Sequence, residues 1–276
     1  MEIAEKKSMP HEKPWQLKMF NRSLKKKMKV AALSLHLPAL SGQKCLLITC
    51  GDNNGAINYK MRQMGGQWTW ADFEAQGIPG MEELLGEPVV RLDRETGILP
   101  FANCNFDVVV SIDVHEHLTD PLPVTRELAR VTRFGGTVII TTPNGNEKKL
   151  AVRIKKTIGM DAKAYGHCRT GFDVPDLRHL TAAAGLTFRR SGSYSRFFTE
   201  MLELTINFLY VKVLAKKSQS RVEKGTIAPV SKDQLESVKK SYRIYSMIYP
   251  LFWLISRLDY LIAFTRGYAV VVETVK

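Results

Sequence analysis

Residues 99–144, LPFANCNFDVVVSIDVHEHLTDPLPVTRELARVTRFGGTVIITTPN, decide the fold. FDVVVSIDV (106–114) and TVIITTPN (137–144) are nearly continuous Val/Ile runs, as expected of strands covered on both faces. Between them, residues 122–132 have helical spacing, and Gly135-Gly136 turns the chain into the second run. Strand, helix and strand in this order predict a parallel βαβ unit. Upstream, CLLIT (45–49), a helix candidate ending near Met64, QWTWADF (67–73) and PVVRLD (88–93) continue the rhythm. Downstream, DVPDLRHLTAAA (173–184) carries an aspartate cap, an early proline and a closing Gly185. Strands LTFRRSGSY (186–194) and GYAVVVETV (267–275) follow, with two apolar helical stretches between them, 197–217 and 232–264, joined by a polar linker over 218–231. The fold class is α/β, a mostly parallel sheet with helices on both faces and a helical insertion before the last strand.

Such sheets bind ligands at the carboxyl ends of their strands, where a glycine turn lets the backbone approach and a helix N-terminus faces the ligand. The turn here is Cys50-Gly51-Asp52-Asn53-Asn54-Gly55, with asparagine at the middle position of a GxGxG-like spacing. An ordinary strand-to-helix turn is the alternative reading of the loop alone. Asp72, about 17 residues beyond Gly55 at the end of the second strand, is placed to accept hydrogen bonds from ribose hydroxyls, with Glu74 as second candidate. Asp93 ends the third strand and is placed to face an adenine amino group, with Arg94 in the wall.

With these residues in place, the 99–144 stretch resembles the centre of class I S-adenosylmethionine-dependent methyltransferases of the type 11 group. It carries the LPF, FD, HL and GG elements at the spacing usual there. GHCRTGFDVPDLRHLTAAAGL (166–186) is similar to the same group. The resemblance implies a Rossmann-like seven-stranded sheet with an antiparallel last strand and the methyl donor, S-adenosylmethionine, across strands one to four. It implies that Gly51, Asn53 and Gly55 line the methionine and ribose end of the donor, Asp72 the ribose, Asp93 and Arg94 the adenine, and that Ile112 and Asp113 lie beside it. Two positions depart from the pattern: Thr49 stands where an acid is usual, and Asn53 where glycine is.

Methyl transfer is an in-line displacement that alignment alone accelerates, so a base matters only for a weakly acidic acceptor. His115, following the fourth strand with Glu116 and His117, is the first candidate base; His117 and His167 are the others. Histidines here also serve as packing or loop-bonding residues. No metal site is expected, because Cys45, Cys50, Cys104 and Cys168 form no CxxC pair and no zinc-like Cys/His spacing.

The 276 residues suffice for one α/β core and an appendage, and the formal net charge of +13 favours anionic partners. Residues 1–40 read as a basic helical arm, 41–196 as the core, 197–266 as the insertion and 267–276 as the final core strand. The opening MEIAEKKSMPHEKPW lacks the apolar run of a secretory signal, so a cytoplasmic location is expected. Tyr242 to Phe264 is long enough to cross a bilayer, but Arg243, Arg257, Asp259 and Pro250 interrupt it. It reads as buried or interfacial. Its apolar surface requires the core, a second subunit or lipid as cover, and Lys212, Lys216, Lys217, Lys239, Lys240 and Arg243 suit an anionic membrane surface. The expected acceptor is a small, hydrophobic or lipid-linked molecule; no nucleic-acid-binding module is recognised. The rival readings are a nicotinamide-dependent oxidoreductase, against which the absence of GxGxxG spacing counts, and a catalytically silent membrane or partner-binding module of the same fold.

Overall fold

The computed structural model describes residues 13–51, 53–209, 229 and 231–276. Seven strands form one sheet in the order β3-β2-β1-β4-β5-β7-β6. They are β1 (Lys44–Thr49), β2 (Gln67–Asp72), β3 (Val89–Arg91), β4 (Phe106–Ile112), β5 (Thr132–Pro143), β6 (Thr187–Tyr194) and β7 (Ala269–Val275). Pairings from β3 through β5 are parallel, whereas β7 runs antiparallel to both β5 and β6. This is the Rossmann-like sheet expected from the sequence.

The strands are buried on both faces because successive side chains alternate between two layers. Leu46, Ile48, Val109, Val138 and Ile140 point into one layer. There they meet Val124 and Leu128 of α5 (Leu122–Val131) and Leu177 of α7 (Val174–Ala183). Leu47, Val108, Val110 and Ile139 point into the other. That side is closed by Leu33 of α2 (Leu24–His36), Met61 of α3 (Ala56–Arg62) and Met81 of α4 (Ile78–Leu85). The Asp173 cap is reciprocal: its carboxylate accepts from the Asp176 backbone N–H at 3.0 Å while Asp176 accepts from that of Asp173 at 3.2 Å.

Three elements lie over the carboxyl ends of the strands. These are α2, from the basic arm that α1 (Trp15–Asn21) opens, α6 (Leu150–Thr157) and α8 (Phe197–Phe208). The 197–217 expectation begins at α8 as read, and its end, the linker and Lys212, Lys216 and Lys217 lie outside the described residues. The later apolar stretch is broken into the helices Lys232–Ser237 and Lys239–Ser256 and a 3-10 segment Arg257–Ile262. No described helix is long and apolar enough to cross a membrane.

Candidate active site

A cavity of about 310 Å³ lies over the β1/β4 boundary, where the order of the sheet reverses. Its floor comes from the ends of successive strands: Gly51 and Asn53 after β1, Glu74 after β2, Arg94 after β3, and Ile112 and Asp113 at the end of β4. Its roof comes from Lys25 and Lys29 of α2, Lys155 of α6 and Glu200 of α8.

The β1 loop keeps its shape through backbone that only glycine adopts readily. Gly51 has φ +71° and Gly55 φ +86°. A Cβ at Gly51 would lie 3.1 Å from the Glu74 Cγ, and one at Gly55 2.9 Å from the Met81 Cα. Gly55 thus serves the packing of α3 on α4 and is not part of the cavity wall. Asn53, where glycine was the usual residue, ties the loop together. Its amide donates to Asn58 at 2.8 Å and Thr49 at 3.2 Å, and its oxygen accepts from the Gly55 N–H at 3.0 Å.

Asp72 corrects the sequence expectation. It is fully buried and takes no part in the cavity wall. Its carboxylate accepts from the Thr49 hydroxyl, the Gly51 N–H at 3.1 Å and the Glu74 N–H at 2.7 Å. Burial pushes its pKa above the usual carboxylate range against those hydrogen bonds. It shapes the loop, and Glu74 is the acid that reaches the cavity, ion-paired with Arg94. Arg94 also donates to the Cys50 sulfur at 2.8 Å. Asp93 is exposed and accepts from the Glu95 N–H at 2.9 Å; it lines not this cavity but an open pocket beside it that shares Glu74 and Arg94.

Asp113 sits at the end of β4 with φ +49°, a conformation aspartate tolerates. Its N–H donates to the Thr141 carbonyl at 3.0 Å and its carboxylate accepts from the Thr141 hydroxyl at 3.1 Å. Burial would raise its pKa, but the ion pair with Lys29 outweighs burial and holds it low. Glu200 behaves likewise. It is buried, yet Lys155 and Lys25 overcome burial and bring its pKa down to about 2. Lys25 and Lys29 belong to the basic arm at residues 1–40.

His115 is the second correction. It is fully buried outside the cavity wall, edge-on to Phe172 with ring centres 6.4 Å apart. The Thr125 hydroxyl donates to the Pro121 carbonyl at 2.7 Å, so the His115 Nε2, 3.1 Å from that hydroxyl, is the donor of their hydrogen bond. Burial and then the Arg169 charge lower its pKa to about 4. Its side chain is buried in the core, away from the residues that line the cavity. His117 and His167 do line the cavity, with ring centres 4.5 Å apart, and so does Glu116. Burial, followed by Arg94, lowers His117 to about 4; burial, followed by His117, lowers His167 to about 3. Both are neutral imidazoles at pH 7. That Glu116, His117 and His167 converge was invisible in the sequence, because the third residue lies 50 positions from the second.

With this geometry, residues 46–140 match a family described as a methyltransferase domain. That stretch is similar to the methyltransferase domains of the type 11 group. The chain is 31% identical over 125 residues to a ubiquinone biosynthesis O-methyltransferase of Cereibacter sphaeroides, covering 44% of this chain and 49% of that protein. A protein of the same name from Idiomarina loihiensis is 26% identical over 158 residues, covering 55% of this chain and 64% of the relative. The chain thus spans about half the length of the first of these curated relatives. An S-adenosylmethionine-dependent methyltransferase of Mesorhizobium loti has the same fold, with TM-score 0.53 and 10% identity over 89% of this chain and 96% of that one. Within the matched stretch, the floor of the cavity is built from strand-end residues that the resemblance singled out, with Glu74 in place of Asp72 and without Gly55, while Asp93 lines the adjoining pocket.

Proposed function

We propose that the chain transfers a methyl group from S-adenosylmethionine to an oxygen of a small acceptor that is hydrophobic or lipid-linked. The observation that carries this reading is the cavity over the β1/β4 boundary, whose floor joins a glycine turn, an acid after β2 and the end of β4. The residues fit the donor. Gly51 leaves room that a Cβ would fill, Glu74 offers a carboxylate to ribose hydroxyls, and Arg94, Ile112 and Asp113 complete the floor. The bound donor supplies an electrophilic methyl on a sulfonium. The chain's own part is to exclude water and to align the acceptor, the larger share of the acceleration in an in-line displacement. An oxygen acceptor is supported by the names of the matched relatives.

The lipid side of the reading rests on the segment between β6 and β7. Met247 is 81% exposed, Leu261 74% and Phe264 87%, alongside Ile244, Leu251 and Leu254. Monomeric proteins seldom leave so much contiguous apolar surface uncovered. Lys239, Lys240 and Arg243 are exposed in the same segment, the composition of a helix that lies on an anionic membrane.

The test is calorimetry with S-adenosylmethionine, followed by incubation of the protein with methyl-labelled donor and a cellular lipid extract. Saturable donor binding and a labelled, extractable product are expected. Donor binding without any labelled product in lipid or small-molecule fractions refutes the acceptor, and saturable NAD binding in place of the donor refutes methyl transfer.

A further inference from the structure

We propose that Glu116, His117 and His167 form a site for one divalent transition-metal ion in the cavity wall. One ligand atom from each residue lies within 4.8 Å of the others. The imidazoles meet at 73°, so their nitrogens converge without the rings stacking face to face. Glu116 supplies an independent sign of a missing partner. Its side chain is fully buried, and neither carboxylate oxygen has a hydrogen bond. The Thr142 hydroxyl, close to Glu116, also lies 3.3 Å from the Pro143 carbonyl. Buried carboxylates are almost always hydrogen-bonded, paired or coordinated, because desolvating one alone is costly. A cation bound by the cluster would give a Glu116 oxygen a partner.

The backbone around the three side chains is already fixed. The Cys168 N–H donates to the Glu116 carbonyl at 2.8 Å, Arg169 to the Thr119 carbonyl at 2.7 Å, and the His167 N–H to the Ala162 carbonyl at 2.9 Å. These bonds clamp the loop bearing His167 onto the segment that follows β4, so the ligands are held before any ion arrives. Imidazole nitrogens favour zinc, cobalt, nickel, copper or iron over calcium and magnesium, which prefer all-oxygen shells. Two imidazoles and one carboxylate leave coordination positions open, as in metal sites that accept an exogenous oxygen ligand. Because all three residues line the cavity, those positions face its interior.

The site does not depend on the methyltransfer reading and is tested without turnover. Tag-free, chelator-stripped protein is titrated with Co²⁺, following visible absorption and calorimetric stoichiometry, and Zn²⁺ is then added as competitor. One equivalent is expected, displaced by Zn²⁺. His117→Ala, His167→Ala and Glu116→Gln each should weaken binding by at least about tenfold, the scale on which metal sites respond to lost partners. His179→Ala, an exposed position on α7, should leave it unchanged. Circular dichroism checks each variant. If Glu116→Gln does not fold, His167→Ala, on a surface loop, decides the matter. No stoichiometric binding, or binding that survives both histidine substitutions, overturns the site. S-adenosylmethionine affinity, measured on the same stripped protein, tells failure of the metal site from failure of the methyltransferase reading.

Discussion

Glu200 allows a sharp test of how the roof of the cavity is held. It bridges Lys25 of α2 and Lys155 of α6 from its place on α8, and accepts from the Ser195 hydroxyl at 3.0 Å. A fall in its pKa from 4.5 to about 2 corresponds to about 3 kcal/mol of folding free energy. The glutamate side chain is 3% exposed, but Lys25 and Lys155 are 27% and 20% exposed, so solvent screens part of each pair. Glu200→Gln should therefore cost about 2 to 3 kcal/mol at pH 7, somewhat less than the loss of a fully buried partner. The sign follows from the depressed pKa. Glu200's contribution is complete above pH 4.5 and is lost as pH falls toward 2, so the gap between wild type and variant should shrink to under about half by pH 3. Urea unfolding at pH 7 and pH 3, with the m-value checked for constancy, measures it. A gap below about 1 kcal/mol at pH 7, or one that stays the same at pH 3, would refute the three-helix bridge.

Glu74→Gln should weaken S-adenosylmethionine binding by about 1 to 3 kcal/mol with little change in melting temperature, whereas Asp72→Asn should lower stability and donor affinity together; calorimetry and thermal unfolding separate the two. His115→Ala should cost about 2 kcal/mol of stability through a lost hydrogen bond and packing, and leave turnover of the folded enzyme nearly intact; a hundredfold fall in turnover would restore the histidine as a base. Leu251→Asp with Phe264→Asp should abolish flotation with anionic liposomes while leaving donor affinity unchanged, and a wild type that ignores liposomes of either charge would exclude the membrane reading.

The sheet was legible because its central strands β1, β4 and β5 and the last strand β7 carry aliphatic runs, a pattern that admits few other folds. α4 and α6 were not read: each is an eight-residue helix with no side-chain cap at its N-terminus, a start signal that the sequence therefore lacks. In the site, the glycine turn and the end of β4 were legible from position along the chain. The choice between Asp72 and Glu74 was not, since it turns on which of two acids two residues apart receives the loop's N–H groups. His115 and His117 illustrate the same limit. They are two residues apart on one 3-10 turn, yet one enters the core and the other the cavity. The roof lysines Lys155, Lys29 and Lys25 carry no sequence signal at all, because their acidic partners lie 45, 84 and 175 residues away.

The last strand of the sheet is one of its interior strands. β7 pairs Val275 with Thr137 on one side and Thr187 on the other, so the chain must synthesise the whole apolar helical segment before β5 and β6 gain their shared neighbour. Until then a ribosome-bound chain presents two open sheet edges together with the surface around Leu251 and Phe264, the combination most prone to self-association. Loop closure over so long a separation is also slow. The same exposed apolar segment is therefore a hazard during its birth. Early contact with a lipid surface or a chaperone would shorten that exposure, linking where the protein is made to whether its core is completed.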